Sequence, residues 1–389
     1  MLGVAIIGTG NISPAHIGAY LAFPERCKIV ALCDIYPEKA QEKAERFGLT
    51  GVEIVDDHHK LLGRKDIDLV SVCTPPYCHA EITVNFLNDG KHVITEKPMA
   101  PTLEECDQII AAAKKSGKIH AVIAQNRFRD PIMHLKNVID SGKIGRILHA
   151  QINSYWWRGH CYYDLWWRGT WEKEGGGCTL NHAVHHIDML GWMMGRPERV
   201  QAILSNAAHD NAEVEDISIA AMQYADGAVA QITSSVIHHG EEQEIIFQGE
   251  HARVSAPWRV AAQLSKDDGF PMDNPTLREE LQTYYASLPQ LKYVGHDGEI
   301  DDVMTAIETG GQPLITSQSG RLTIELITAI YKAGFEHREV LLPILPDDPY
   351  YTSKGMRENA VHFYEKTNSV VQLGTQKEIT TGSDYQGGK

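Results

Sequence analysis

Three groups of residues in this chain have types and spacings that could carry chemistry. The first is Gly8-Thr9-Gly10-Asn11-Ile12-Ser13, a G-x-G-x-x-S run between an apolar stretch and a helical pattern. Gly8 allows a tight turn. Gly10, with Asn11 and Ile12 at the mouth of the following helix, lets backbone N–H groups approach a pyrophosphate. Asp34 ends the next apolar run about twenty positions on, where a carboxylate accepts from a ribose 2′-OH and repels a 2′-phosphate. This spacing predicts NAD(H) over NADP(H). The second group is His182, His185, His186 and Asp188. Histidines three apart with an acid could ligate a metal, but such pairs are common without one, and no metal is expected. The third is residues 155–171, YWWRGHCYYDLWWRGTW, which hold five of the seven tryptophans. Flat aromatic faces pack on sugar C–H surfaces, and Arg158, His160, Tyr163 and Arg168 offer polar tips for hydroxyls or a carboxylate. The same composition suits packing at a dimer interface, and both readings stand at this point.

The elements that must position these groups follow from periodicity. Apolar runs at 4–7, 29–33, 69–73, 93–94 and 121–124 read as strands buried on both faces of a parallel sheet. Helical patterns lie between them at 15–21, 37–47 and 102–113, the last opened by a Thr102…Glu105 capping box. Alternating strands and helices predict a doubly wound α/β Rossmann sheet over 1–125. Beyond it, a helix over 131–141 leads to strand candidates at 147–155, 200–204, 216–224, 228–236 and 244–248, with Ala225-Asp226-Gly227 as a hairpin turn. Helical patterns follow at 300–307 and 322–333. Residues 126–346 therefore read as an α+β substrate and oligomerisation domain with a large, mostly antiparallel open sheet. The polar remainder, 347–389, reads as a C-terminal arm and tail. Within it, 349–366 is expected as an arm or helix on a partner subunit, and 380–389 as a flexible tail.

Composition narrows the function classes. The 389 residues are 43% hydrophobic and 22% charged, which suits packed globular cores. A net charge of −15 argues against nucleic acid and against anionic membrane surfaces as partners. No apolar run reaches the ~20 residues of a membrane span, and the N-terminus lacks the basic and cleavage features of a secretory signal. Seven scattered cysteines fit reduced thiols and a cytoplasmic location, and Cys73 and Cys78 have no second pair for zinc.

Further motifs make the fold specific. Thr74-Pro75-Pro76-Tyr77-Cys78-His79 follows the third strand, Glu96-Lys97-Pro98 follows the fourth, and Gln125-Asn126-Arg127-Phe128 follows the fifth. A glycine block, Gly175-Gly176-Gly177, leads into Asn181, His185 and Asp188. In this order they resemble the Gfo/Idh/MocA family of glucose–fructose oxidoreductase and inositol dehydrogenase. The resemblance covers residue 1 to about 346. It implies NAD contacts at Thr74, Pro75, His79, Glu96, Lys97 and Asn126, and a cis Lys97–Pro98 bond. It implies Lys97 between nicotinamide and substrate, and His185 as acid/base. Oxidising a hydroxyl releases a proton, which a neutral imidazole can take, while an ammonium stabilises the developing alkoxide. Many relatives carry Asp where this chain has Asn181. An amide binds hydroxyls but is no base, so His185 is left as the sole strong candidate. Four apart on one helix, Asn181 and His185 would share a face. Asn181, Asp188 and Arg127 are expected to meet substrate, Asp188 by binding a hydroxyl or orienting the imidazole. The implied activity is oxidation of a secondary hydroxyl of a sugar, polyol or derivative to a ketone, in a homo-oligomer (dimer or tetramer) joined through the C-terminal sheet. Two alternatives remain. One is a glycoside-cleaving enzyme that oxidises transiently and eliminates. The other is a non-catalytic NAD- or sugar-binding regulator.

Overall fold

The computed structural model describes residues 1–371 and 383–386. Six short strands form the first sheet: β1 (Leu2–Ile7), β2 (Cys27–Cys33), β3 (Glu53–Val55), β4 (Leu69–Val72), β5 (His92–Thr95) and β6 (His120–Val122). Their order is β3-β2-β1-β4-β5-β6, and every adjacent pair is parallel. This is the doubly wound Rossmann order, whose chain reversal beside β1 opens a crevice at the strands' carboxyl ends. Val4, Ala5, Ile6, Val70 and Ile94 are wholly buried because helices cover both faces. Those helices are α1 (Ser13–Leu21), α2 (Pro37–Arg46), α3 (His79–Asn88) and α4 (Leu103–Ser116). Proline in the first turn starts α1 and α2, since the missing N–H has no partner there anyway. The expected capping box before α4 does not form. Thr102 Oγ1 donates to the Glu105 carboxylate at 2.8 Å instead of accepting a backbone N–H.

A 3₁₀ turn over Gln125–Phe128 and helix α5 (Asp130–Asp140) lead to the second sheet. Two helices, α6 (Cys178–Asn181) and α7 (Val184–Met194), interrupt it after its first strand. Its strands are β7 (Ile147–Tyr155), β8 (Arg199–Ser205), β9 (Ile217–Gln223), β10 (Val229–Ser235), β11 (Gln243–Gly249), β12 (Ala252–Ala256), β13 (Arg259–Ser265), β14 (Pro271–Asp273) and β15 (Val340–Leu341). The order is β14-β13-β12-β11-β7-β10-β9-β8-β15, with β7 and β10 the one parallel pair among the described strands of this second sheet. The turn at Ala225-Asp226-Gly227 joins β9 to β10 as expected, closed by Tyr224 N donating to Ala228 O. The sequence reading missed β3, β12–β14 and β15: β3 and β14 are three residues long and β15 two, and β13 and the edge strand β14 are largely exposed.

Three helices close the fold after β14: α8 (Pro275–Ser287), α9 (Gly295–Thr309) and α10 (Ser317–Glu336). Helix α10 is wedged between β6 and α4 on one side and α7 and β8 on the other, so it joins the two sheets. The segment expected as an arm on a partner folds onto its own chain. There, helix α11 (Ser353–Asn359) follows a turn at Pro349–Tyr351, with Tyr350, Tyr351 and Met356 buried. The Tyr351 hydroxyl donates to Asp107, and Lys332 pairs with Asp348. Of the expected flexible tail, 380–382 and 387–389 lie outside the described residues. The remaining piece corrects the expectation, because Tyr385 is fully buried. Among the described residues no helix is long and apolar enough to cross a membrane, and all seven cysteines are free thiols.

Candidate active site

The glycine run forms a cradle at the end of β1. Gly8 has φ +91°, and a Cβ there would lie 2.7 Å from Cys73 O, so only glycine fits. A Cβ on Gly10 would meet nothing within 4 Å, which leaves open space over the loop. Asn11 is exposed, and Ile12 is the N-cap of α1. Ser13, in the slot usually held by Gly or Ala, turns its hydroxyl back onto Gly10 O at 2.9 Å and pins the turn. Asp34 stands at the end of β2, where its Oδ2 accepts from Thr9 N at 2.7 Å and Thr9 Oγ1 at 2.8 Å. Thr74 Oγ1 and Gln125 Oε1 are buried without hydrogen-bond partners among the described residues. Buried polar atoms left so need a ligand, and an open cradle, an acid at the end of β2 and these atoms fit NAD.

Two expected cofactor contacts are spent elsewhere. His79 is wholly buried, with its ring nitrogens 2.8 Å from Thr74 O and 2.8 Å from Pro98 O. It ties two loops together and has no atom left for a nucleotide. Glu96 accepts from Lys97 N at 3.0 Å, and its Oε1 lies 2.9 Å from His16 Nε2 and 3.6 Å from His296 Nε2. Burial alone would push this carboxyl up, but the two imidazoles outweigh it and hold it well below the usual carboxylate range. Its oxygens are engaged by protein rather than by a ribose.

Lys97 follows β5, and the Lys97–Pro98 bond is cis, as the resemblance implied. Its Nζ donates to Asn181 O at 3.1 Å and shares a cavity with His185, Ala124 and Thr323. Burial lowers the Lys97 ammonium, and the Arg168 and Arg158 guanidiniums lower it further, against the opposing pull of Glu96. His185 sits on the first turn of α7, buried, with no hydrogen-bond partner among the described residues. Burial holds it well below an ordinary histidine, and the Lys97 charge adds to the effect. A neutral imidazole is thus placed beside an ammonium.

Around this pair the structure corrects several expectations. Asn181 and His185 are not on one helix, because a turn at His182 and Ala183 separates α6 from α7. The Asn181 amide donates to Gly176 O at 2.8 Å, so it closes the glycine turn. Asp188 and Arg127 form a buried two-pronged ion pair, with both N–H···O distances 2.7 Å, and Thr323 donates to Asp188 at 3.2 Å. Each is held by the other, and Asp188 also lines the cavity shared by Lys97 and His185. In the aromatic segment, His160 points outward and pairs with Asp210 at 2.6 Å, its side chain half exposed. Tyr163 turns into the core against Tyr162 and His209. Arg168 and Arg158 do face inward. Arg168 lies 4.1 Å from the Tyr162 ring and donates to Glu174 at 2.9 Å, and Arg158 donates to Glu241 at 2.6 Å. Sequence reasoning missed Tyr162 and gave His182 no substrate-side role. They meet at 3.4 Å, and Trp156 packs edge-on to His182. It also missed Glu215, which accepts from Gly177 N, Thr179 N and Tyr331 Oη and is pushed up to about 7 by burial. A Cβ at Gly177 would lie 2.0 Å from Glu215 O, which is why the block needs glycine. No short-range signal in the sequence links these partners.

Comparison with known proteins agrees with this geometry. Residues 2–124 match the oxidoreductase family with an NAD-binding Rossmann fold, and 132–255 match the GFO/IDH/MocA C-terminal domain. The 2,7-anhydro-N-acetylneuraminate hydratase of Mediterraneibacter gnavus is 26% identical over 88% of this chain and 96% of that protein. Levoglucosan dehydrogenase of Pseudarthrobacter phenanthrenivorans is 29% identical over 74% of this chain and 77% of that protein. The WlbA dehydrogenase from Bordetella pertussis, solved with NADH and UDP-GlcNAcA, superposes with a TM-score of 0.76 at 27% identity, covering 88% of this chain and 99% of its own. The chain belongs to the GFO/IDH/MocA family, as an NAD-binding oxidoreductase of the sugar and polyol dehydrogenase type.

Proposed function

We propose that this enzyme oxidises a secondary hydroxyl of a sugar, polyol or sugar derivative to a ketone, or runs the reverse. The observation that carries the reading is the Lys97 ammonium and the unpartnered, neutral His185 imidazole sharing one cavity beyond β5. NAD accepts the hydride when bound. Lys97 holds the reacting oxygen and stabilises negative charge on it, and His185 takes the hydroxyl proton. Arg158 and Arg168, both stacked over the Tyr162 ring, receive the sugar's polar substituents. Asp34 selects NAD by excluding a 2′-phosphate. The test is absorbance of reduced nicotinamide with NAD, or NADP in parallel, against monosaccharides, inositols, anhydrosugars, hexuronates and nucleotide sugars. Signal with one class and NAD supports the reading; silence with every class sinks it.

A second reading has one observation in its favour: the relative matched over 96% of its length is named a hydratase, not a dehydrogenase. An internal redox cycle would use the same two residues and release product without net NADH. Product appearing by chromatography in a reaction with flat absorbance identifies it. The outer sheet face also exposes Ile203 and Ile219, cross-strand neighbours on β8 and β9, and a second copy of this chain is our assignment for what covers them. Ile203→Glu shifting the mass in light scattering from oligomer to monomer is the expected result.

A further inference from the structure

Tyr385 comes from the far end of the chain, yet it has no exposed surface. Its hydroxyl lies 2.9 Å from His186 Nε2, and its ring meets the His186 ring edge-on at 6.0 Å. Asn126 lies against the same hydroxyl, and Asn126 Nδ2 is otherwise without a partner. Two residues earlier, Ser383 N donates to Gln243 Oε1 on β11 at 2.9 Å, and Tyr385 N donates to Ser383 Oγ at 3.0 Å. Tyr385 also has φ +58°, a left-handed backbone that a side-chain-bearing residue keeps only where its contacts impose it. A buried ring, a constrained backbone and polar contacts to separate elements describe a seat.

The seat joins two elements that flank the cavity. His186 follows His185 on the first turn of α7, and Asn126 precedes Arg127 in the turn after β6. Burial lowers His186 to about 3 and keeps the phenol protonated, so this is a contact between neutral groups. A neutral imidazole accepts at one nitrogen and donates at the other, so Nε2 and the phenol oxygen share one hydrogen bond in either tautomer. Fixing the His186 ring fixes the rotation of the helical turn that carries His185. We propose that Tyr385 is a positioning residue of the active site, seated by the C-terminal segment between His186 and Asn126 so that α7 holds His185 towards Lys97. The proposal rests on the reading of His185 as the base.

The test compares the full chain, Tyr385→Phe and a chain ending at Gly382. Four quantities are read: kcat and KM, NADH affinity by fluorescence, Tm, and hydrogen exchange across α7. Truncation is expected to lower kcat about ten-fold through loss of orientation, and Tyr385→Phe by less. The KM for NAD and the NADH affinity should stay within about two-fold, with Tm nearly unchanged and faster exchange at the start of α7. Unchanged kcat in the truncated chain overturns the proposal, as does a loss of kcat that merely follows a lower Tm. If the full chain oxidises nothing tried, the base reading fails by itself, and exchange decides the seat: unchanged exchange on truncation overturns it, and faster exchange upholds it.

Discussion

The cofactor wall and the proposed sugar wall of this site are built in opposite ways. On the cofactor side many contacts close over a few residues. Ser13 reaches back to Gly10, Asp34 accepts from Tyr36 N, and Glu96 accepts from the next backbone N–H. On the sugar side the partners come from distant parts of the chain: Arg158 with Glu241, Asp164 with Asn211, Tyr163 O with Lys366, His186 with Tyr385. The turns of the first wall are therefore an outcome of local backbone geometry, although Asp34 with Thr9 and Glu96 with His16 and His296 also join distant residues there. The second exists only once the whole second domain has assembled, and most of its polar groups are committed to one another. Lys97, bonded to Asn181 O, and His185, without a hydrogen-bond partner among the described residues, line one cavity between the walls.

This contrast can be broken, and the largest test is chemical. His185→Ala is expected to lower kcat about a thousand-fold while leaving NADH affinity unchanged, measured by steady-state kinetics and fluorescence titration. A loss below ten-fold would move the base elsewhere. Next comes the strut between the walls. Asp188→Ala leaves Arg127 buried and unpaired, and urea unfolding should show about 3–5 kcal/mol less stability. A change under about 1 kcal/mol would mean that the pair opens to solvent.

The third test is pH. His120 and His186 are buried and lowered to about 3, so the folded state binds fewer protons than the unfolded state below the ordinary value of 6.5. Their stabilisation is complete above pH 6.5 and is lost as pH falls below it, by about 1.4 kcal/mol per histidine per unit. Glu215, raised to about 7, works in the opposite sense between its ordinary value of 4.5 and 7, and Glu105, Glu174, Glu299 and Asp302 are raised by burial too, but His16, His58, His79, His92, His182 and His185 are lowered with His120 and His186 and outnumber them. Tm should fall on acidification from pH 6.5 to 5; a flat or rising Tm contradicts the neutral burial of these rings. The smallest effects sharpen the sugar wall itself. Arg168→Lys loses the planar guanidinium over Tyr162 and should raise the sugar KM about ten-fold at constant KM for NAD. His160→Ala, on the outer surface, should change neither. Equal effects of the two would return the whole aromatic segment to the pocket.

Legibility followed the same division. The parallel Rossmann half, the glycine turn, the acid after β2 and the lysine after β5 could be read because each depends on apolar runs and turn residues within a short window. The aromatic segment could not be resolved residue by residue. It has no helical or strand period, so nothing local says that Tyr163 turns inward and His160 outward. Asn181 failed for a related reason: spacing of four implies a shared face only while the helix continues, and the turn at His182 breaks it.

The chain's own order of residues determined the Rossmann half, its cofactor and the two groups proposed to act on substrate. Only the tertiary structure decided that Asp188 is held by Arg127, that Glu96 lies between two histidines, and that the tail buries a tyrosine beside His186. The physical reason is range. Periodicity and turn chemistry act between neighbours in sequence and are written there. A buried charge or hydroxyl takes whichever complementary group the fold brings within about 3 Å, and that group can lie anywhere along the chain.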